Sequence, residues 1–414
     1  MDSGSLTWVL TSAALVLFMT PGLAFFSGGM DGSRNVLNML MMNFYCVLIV
    51  PVMWVAFGYS LAQVPFGNDF IGSFHAFFLQ DITQVGDGSA LAIVSFLGMF
   101  AAITPALISG AVAGRMKFSA WAVFVPIWFV IVYIPVFKWV YGGWLAQRGS
   151  LDFAGGTAIH VTAGIAALAA VLVLGKRKVD PHPPHSMPLV MIGTGILWFG
   201  WFGFNAGSAA ASNGQTAQAF LNTFIAAAAG GLAWVSVEWI RDGHPTNLGA
   251  ASGIVAGLVA ITPGAGFVSG PGPMAIGAIA GIVCCYAVRL KSKFGYDDAL
   301  DVVGVHFVGG LVGSLCVGLF ASPDFFTKVV VEDGVTTVVP FFRGEGLFYG
   351  GGLHLFGEQA LANLVAIVWS FTLTLGLMLA LKRTIGVRVD RELEATGLDL
   401  GLHGETAYHS AGIG

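Results

Sequence analysis

Leu151-Asp152-Phe153-Ala154-Gly155-Gly156-Thr157-Ala158-Ile159-His160 and Leu300-Asp301-Val302-Val303-Gly304-Val305-His306-Phe307-Val308-Gly309-Gly310 read as two versions of one phrase. Each has Leu-Asp, then Gly, then a single histidine inside an apolar run. Ionisable groups at lipid depth are costly, and those that persist usually face a pathway or a partner. Two such histidines in corresponding places therefore weigh more than either alone.

Working outward, composition sets the class. Hydrophobic residues are 56% of the 414 and charged residues only 10%, against roughly 25% charged in soluble domains. Mean hydropathy is +0.81. These values describe an integral membrane protein and exclude a soluble enzyme. The 58 glycines fit close helix packing in lipid. Cys46, Cys284, Cys285 and Cys316 lie in apolar runs and read as buried free thiols. The start, Met1-Asp2-Ser3-Gly4, lacks a basic n-region, so no cleaved signal peptide is expected.

A crossing helix needs about 20 mostly apolar residues. Eleven stretches qualify: 6–28, 36–62, 89–113, 119–137, 154–174, 187–211, 217–240, 248–268, 272–288, 302–322 and 360–381. The eighth and ninth share an uncharged run from His244 to Arg289, broken by Pro263, Gly264, Pro271 and Pro273. Fourteen basic residues, including Arg34, Arg115, Lys176, Arg177, Arg241, Arg289 and Lys382, then fall on one side. Lys138, Arg148, Lys328 and Arg343 fall on the other. That asymmetry predicts an external N-terminus and a cytoplasmic C-terminus.

The fold expected is all-α: an inverted 5+5 repeat plus one C-terminal helix. Residues 1–383 form the transmembrane domain and 384–414 a polar cytoplasmic tail. The connections 63–88 and 323–359 are external. The fifth helix runs inward and the tenth outward, so His160 and His306 approach from opposite sides. Inverted repeats place a substrate site at their interface near the midplane. Asp152 and Asp301 sit at helix starts, where carboxylates accept free N–H groups. Capping suffices for Asp301, whereas Asp152 has an added electrostatic role on the external side.

Together, three stretches resemble the ammonium transporter family, Amt/Mep, related to the Rhesus proteins. They are Asp152 to His160, Gly200-Trp-Phe-Gly-Phe204-Asn-Ala-Gly-Ser208, and Asp298-Ala-Leu-Asp301-Val-Val-Gly-Val-His306. The tail Gly397-Leu-Asp-Leu-Gly-Leu-His403-Gly-Glu-Thr-Ala-Tyr408 is similar as well. The resemblance runs in order from about residue 6 to 409. It implies a homotrimer with one pore per subunit and an external recruitment site for ammonium. On its motifs, Ser208 supplies the recruiting hydroxyl, Phe100 and Phe204 the outer and inner gating rings, His160 and His306 the twin-histidine pore, and Asp152 the nearby aspartate for deprotonation or electrostatic support. Tyr141, in Trp139-Val-Tyr141-Gly142-Gly143-Trp144, stands where similar members often have Trp. A tyrosine offers a weaker π face, so Trp139 or Trp144 could contribute instead. Leu97 stands where some members carry a polar side chain. Without the motifs, Phe100 and Phe204 would read as ordinary packing among 33 phenylalanines.

Ammonium and potassium are alike in size and charge, so selectivity must exploit ammonium's N–H donors and removable proton. A hydroxyl and aromatic faces accept it. An apolar pore cannot hydrate a metal ion, whereas neutral ammonia tolerates the passage. The expected function is ammonium uptake across the plasma membrane, with methylammonium as an analogue, conducting ammonia with or without its proton. Two rivals differ in class. One is an ammonium sensor signalling through the tail, to which the resemblance adds a PII-type partner. The other is a Rhesus-like channel for neutral gas. No cofactor is expected, and no enzyme. Asp180-Pro-His182-Pro-Pro-His185 is a poor metal cage on a Pro-rich loop, and no phosphate-binding Gly-rich loop followed by Lys-Ser/Thr stands in the right context.

Overall fold

The computed structural model describes residues 1–63, 66–82, 88–179, 183–325, 327–332, 335–340 and 344–408, with the backbone alone for the two short segments 327–332 and 335–340. Among these, eleven helices are long and apolar enough to cross a membrane. They are α1 (Ser3–Met30), α2 (Val36–Ala62), α3 (Ser89–Ile108), α4 (Phe118–Arg148), α5 (Gly156–Leu174), α6 (Met187–Gly207), α7 (Gly214–Asp242), α8 (Asn247–Gly264), α9 (Gly272–Phe294), α10 (Val303–Phe320) and α11 (His354–Thr384). All eleven expected spans are present, including the split between α8 and α9.

Boundaries differ where local chemistry outweighs hydropathy. The third span was expected to reach 113, but α3 stops at Ile108. Pro105 cannot donate to the helix ladder, and the chain continues as tight turns, Ala111 N–H to Ile108 O at 3.1 Å and Arg115 N–H to Val112 O at 3.3 Å. The eleventh starts at His354 rather than 360. Glu358 is buried in its first turns because Arg148 grips it through two bonds of 2.9 and 3.0 Å. Glu358 and His354 therefore belong to a helix, not to the external connection. That connection instead carries an antiparallel hairpin, β1 (Thr327–Glu332) with β2 (Val335–Pro340).

Proline and glycine shape the helices from within. α2 contains Pro51 and α4 Pro126, and each is followed within a turn by one wide π-helical turn, at Trp54–Gly58 and Phe129–Tyr133. Wide turns also open α5 at Gly156–Val161 and α10 at Val303–Phe307, and these carry the two histidines. Such turns commonly mark functional positions in helices.

α5 and α10 cross at glycines. A Cβ on Gly164 would stand 2.3 Å from the Phe307 backbone nitrogen. A Cβ on Gly310 would stand 3.0 Å from both the Gly156 carbonyl and His160 Cβ. Each glycine admits the other helix next to its histidine, a reciprocal contact fitting two inverted halves.

The helix ends on the side of the C-terminal segment are tied together by charge. Arg115, wholly buried, donates to the carbonyls of Ala111 and Gly175 and pairs with Asp297 at 3.0 Å. Asp297 also takes a forked Arg177. The segment after α11 lies along this end: Lys117 N–H donates to Val387 O, and Val389 N–H to Arg115 O. The four cysteines are free and buried.

Candidate functional site: a narrow apolar passage

α4 is interrupted at Tyr141, where the backbone leaves the helix and Gly142 takes a φ of +94°, before a last helical turn resumes at Trp144. Gly143 follows so closely that a Cβ would sit 2.5 Å from the Lys138 carbonyl. This turn sets the Tyr141 ring into a cavity of about 410 Å³, lined also by Phe100, Asp152, Ser208, Leu97 and Gln215. Trp139 and Trp144 do not line it. Trp139 donates its indole N–H to Phe70 O at 2.8 Å, and Trp144 packs beside it. Of the three aromatic candidates, Tyr141 alone reaches the cavity.

Ser208 terminates α6 and donates its hydroxyl to Phe204 O at 2.9 Å. Its oxygen lone pairs remain available to a donor in the cavity. Asp152 receives four backbone N–H groups, from Gly155, Gly156, Thr157 and Ala158, at 2.7 to 3.0 Å. With two donors on each oxygen the carboxylate is anchored as the cap of α5, and what it presents to the cavity is charge.

The floor of the cavity is a stack. Phe100 and Phe204 lie with centroids 4.2 Å apart and planes at 9°. Beneath is a chamber of only about 20 Å³, lined by Met19, Leu23, Phe26, Trp201, His160 and His306 among others. That is room for about one water-sized molecule. The two imidazoles are nearly parallel, 5.3 Å between centroids, with Nδ1 atoms 3.2 Å apart. One Nδ1 must donate and the other accept. His160 Nε2 is buried without a protein partner.

Trp201 is a residue that the motif reading quoted without giving it a role. Its ring stacks on His160 at 5.4 Å and 19°, and its N–H donates to Thr262 Oγ1 at 2.9 Å. It lies three positions before Phe204 on α6, a spacing that puts both on one helix face. That signal was available in the sequence.

The repeat also needs a corrected register. Leu151-Asp152 was matched to Leu300-Asp301, but the counterpart of Asp152 is Asp298. Asp152 and Asp298 each precede their histidine by eight positions, and the histidines are 146 residues apart. Asp298 caps α10 by accepting Val303 N–H at 2.7 Å. Asp301 aligns with Gly155 instead, and both have positive φ, +63° and +113°. The Asp301 carboxylate turns away to Lys291 at 2.6 Å. Capping, expected of Asp301, therefore falls to Asp298.

Among the described residues, no group of three His, Cys, Asp or Glu could hold a metal. His182 and Asp180 lie outside them. His185 bonds to Asp31 O and to the Tyr408 hydroxyl, both at 2.9 Å.

Eleven apolar helices around a constricted passage define a polytopic membrane protein of the transporter type. The profile of the Ammonium Transporter Family matches residues 7–408. An ammonium transporter of Mycobacterium tuberculosis is 47% identical, over 99% of this chain and 91% of its own. The crystal structure of Candida albicans Mep2 is similar with a TM-score of 0.85 at 34% identity, covering 95% of this chain and 87% of that one. A structure described as Sensor Amt Protein gives 0.86 at 29% identity, covering 96% and 98%. The chain belongs to the ammonium transporter family.

Proposed function

We propose that the protein takes up ammonium by recruiting it outside and passing ammonia through the histidine chamber. The observation that carries this reading is the step in size, from about 410 Å³ above the Phe100–Phe204 stack to about 20 Å³ below it. A hydrated cation fits the first and not the second. Ser208 accepts an N–H donor, Tyr141 and Phe100 offer π faces, and the anchored charge of Asp152 favours a cation.

Entering the chamber as an ion would forfeit hydration without replacement, at many kcal/mol. Potassium has no way around that cost. Ammonium does, by leaving its proton behind. Ammonia can then donate to His160 Nε2, the unpartnered acceptor when His160 carries its proton on Nδ1. Trp201 holds that ring by stacking.

The reading extends to a homotrimer in the plasma membrane, with the N-terminus outside and the tail 384–414 in the cytoplasm. The fourteen-to-four distribution of basic residues supports the orientation. A PII-type protein is the partner proposed for the tail face. A sensing role has one observation in its favour, the likeness to a structure described as a sensor.

The deciding experiment is an ammonium pulse on a solid-supported membrane bearing proteoliposomes, against an equal potassium pulse, with labelled methylammonium uptake alongside. Uptake with selective current supports transport with the proton. Uptake without current supports neutral gas conduction. Binding with negligible uptake would leave only the sensor.

A further inference from the structure

A second cavity lies further along the elements that line the histidine chamber, and three shared walls can be followed. α1 lines the chamber with Met19, Leu23 and Phe26, and its end then supplies Met30 and Asp31 to a second, inner cavity of about 50 Å³. α3 gives Ile103 and Leu107 above, and the turns after it give Ala113 and Gly114 below. α10 gives His306 above, and the segment before it gives Ala299 and Leu300 below. The same three walls, one to two turns further in, make this cavity the inner mouth.

Three charged side chains line the mouth, and two are already committed. Arg177 forks onto Asp297, and Glu394 is held by Arg388 and by the Lys178 N–H. Asp31 differs. Its Oδ1 accepts Gly32 N–H at 2.8 Å and the Asn35 amide at 3.2 Å. Its Oδ2 is buried without a partner, alone among the described buried polar side-chain atoms lining this cavity. Buried carboxylate oxygens are normally satisfied, and an orphan calls for an explanation. The mouth is roomy enough for one or two water-sized molecules. Gly114, at φ +67°, lines the cavity beside this pair: a Cβ there would lie 3.1 Å from the Asn35 amide nitrogen and 3.7 Å from Asp31 Oδ1.

We infer that Asp31 forms an exit site at the inner mouth, where its free Oδ2 receives an N–H from a small monovalent nitrogen cation such as ammonium or methylammonium. The inference rests on the transport reading. A charge-assisted N–H···O⁻ bond is roughly twice as strong as a neutral one, which favours the protonated product over ammonia at this point. The groups facing Asp31 are Asn35 and Gly32 on its own turn, Arg177 after α5, His185 before α6 through the Asp31 carbonyl, and Glu394 and Asp399 on the C-terminal segment. Burial raises the Asp31 carboxyl above its ordinary value, against the bonds from Gly32 and Asn35 and the charge of Arg177. A bound cation offsets that cost, so occupancy and ionisation support each other.

The test applies ammonium separately to each face of vesicles sorted for a single orientation. In Asp31→Asn, which keeps the shape and the Oδ1 acceptor, the half-saturating concentration at the inner face should rise at least fivefold. That at the outer face should stay within twofold, which also reports a folded protein. A second measurement needs no variant and no transport. Carbodiimide labelling of the native protein's Asp31, read by mass spectrometry, should be suppressed by ammonium but not by equal potassium. Unchanged inner half-saturation in Asp31→Asn, or labelling that ammonium does not suppress more than potassium, overturns the exit site. Native protein without flux, in which ammonium still protects Asp31, overturns the transport reading and leaves the site standing.

Discussion

Phe100 and Phe204 meet face to face, 4.2 Å between centroids and 9° between planes, Phe100 lining the cavity of about 410 Å³ and Phe204 the histidine chamber. The stack joins α3 to α6, so the closure depends on both helices. Replacing Phe204 with Ala removes one leaf and leaves a void, which by the usual cost of Phe-to-Ala in a core destabilises by about 3–5 kcal/mol. The functional outcome expected is lost selectivity: potassium currents appear in Phe204→Ala proteoliposomes where the native protein has none. A variant as selective as the native protein would refute the gate.

His160 and His306 satisfy each other across 3.2 Å. Changing His306 to Leu leaves His160 with no hydrogen-bond partner on either ring nitrogen, an imbalance worth about 1–3 kcal/mol. Methylammonium uptake should fall tenfold or more while the detergent-solubilised protein still elutes as folded material. Native-level uptake in His306→Leu would remove the pair from the pathway.

Gly164 lies so near α10 that an alanine Cβ would meet the Phe307 nitrogen at 2.3 Å. That neighbour is backbone and cannot swing aside. Gly164→Ala should therefore destabilise by roughly 1–3 kcal/mol, as overpacking does, and displace His306 along with its helix. Thermal unfolding checks the first effect and uptake the second.

In the connection before α10, burial would push the Asp297 carboxyl up. Hydrogen bonds from Arg177 and the charge of Arg115 outweigh it and hold the carboxyl below its ordinary value. A carboxylate depressed in the folded state contributes stability above the unfolded pKa of about 3.9, and loses it as pH falls through the folded value. Stability attributable to Asp297 should thus be constant at neutral pH and decline only below about pH 4. Asp297→Ala strands Arg115 in a buried site and should cost about 3–5 kcal/mol. Unfolding curves of the native protein and the variant at pH 7 and near pH 3 check both: the gap between them should narrow at the lower pH.

The tail contributes a cap to the body. Asp399 accepts the Leu37 and Asn38 N–H groups at 3.1 and 2.8 Å, completing the start of α2 from more than 350 residues away. Asp399→Ala should cost about 1 kcal/mol, the usual worth of an N-cap. It should also loosen the 391–408 segment, making it more sensitive to limited proteolysis than in the native protein. Equal cleavage rates would show that the tail is held by its other contacts.

Much of this molecule could be read along the chain. Spans follow from hydropathy because a bilayer solvates nothing polar for some twenty residues at a time. The motif order identified the family, and the residues expected from it to form a recruitment site, Phe100, Tyr141, Asp152 and Ser208, line one cavity. The repeat register was misread because Leu-Asp recurs by chance near both histidines. Only the backbone reveals that Asp298 caps α10 and that Asp301 occupies the positive-φ place of Gly155.

What the sequence determined by itself was the class, the eleven crossings and the two histidines that had to be explained. Hydrophobic patterning and charge asymmetry are local properties, and they survive without contacts. What the tertiary structure decided was which groups are already spent. Asp152 is taken up by four N–H donors, Trp139 by a carbonyl and Arg177 by Asp297, while His160 Nε2 and Asp31 Oδ2 are left open. Hydrogen-bond capacity is finite and is assigned only when distant segments meet, so the unpartnered atoms at these two cavities appear only in the folded chain.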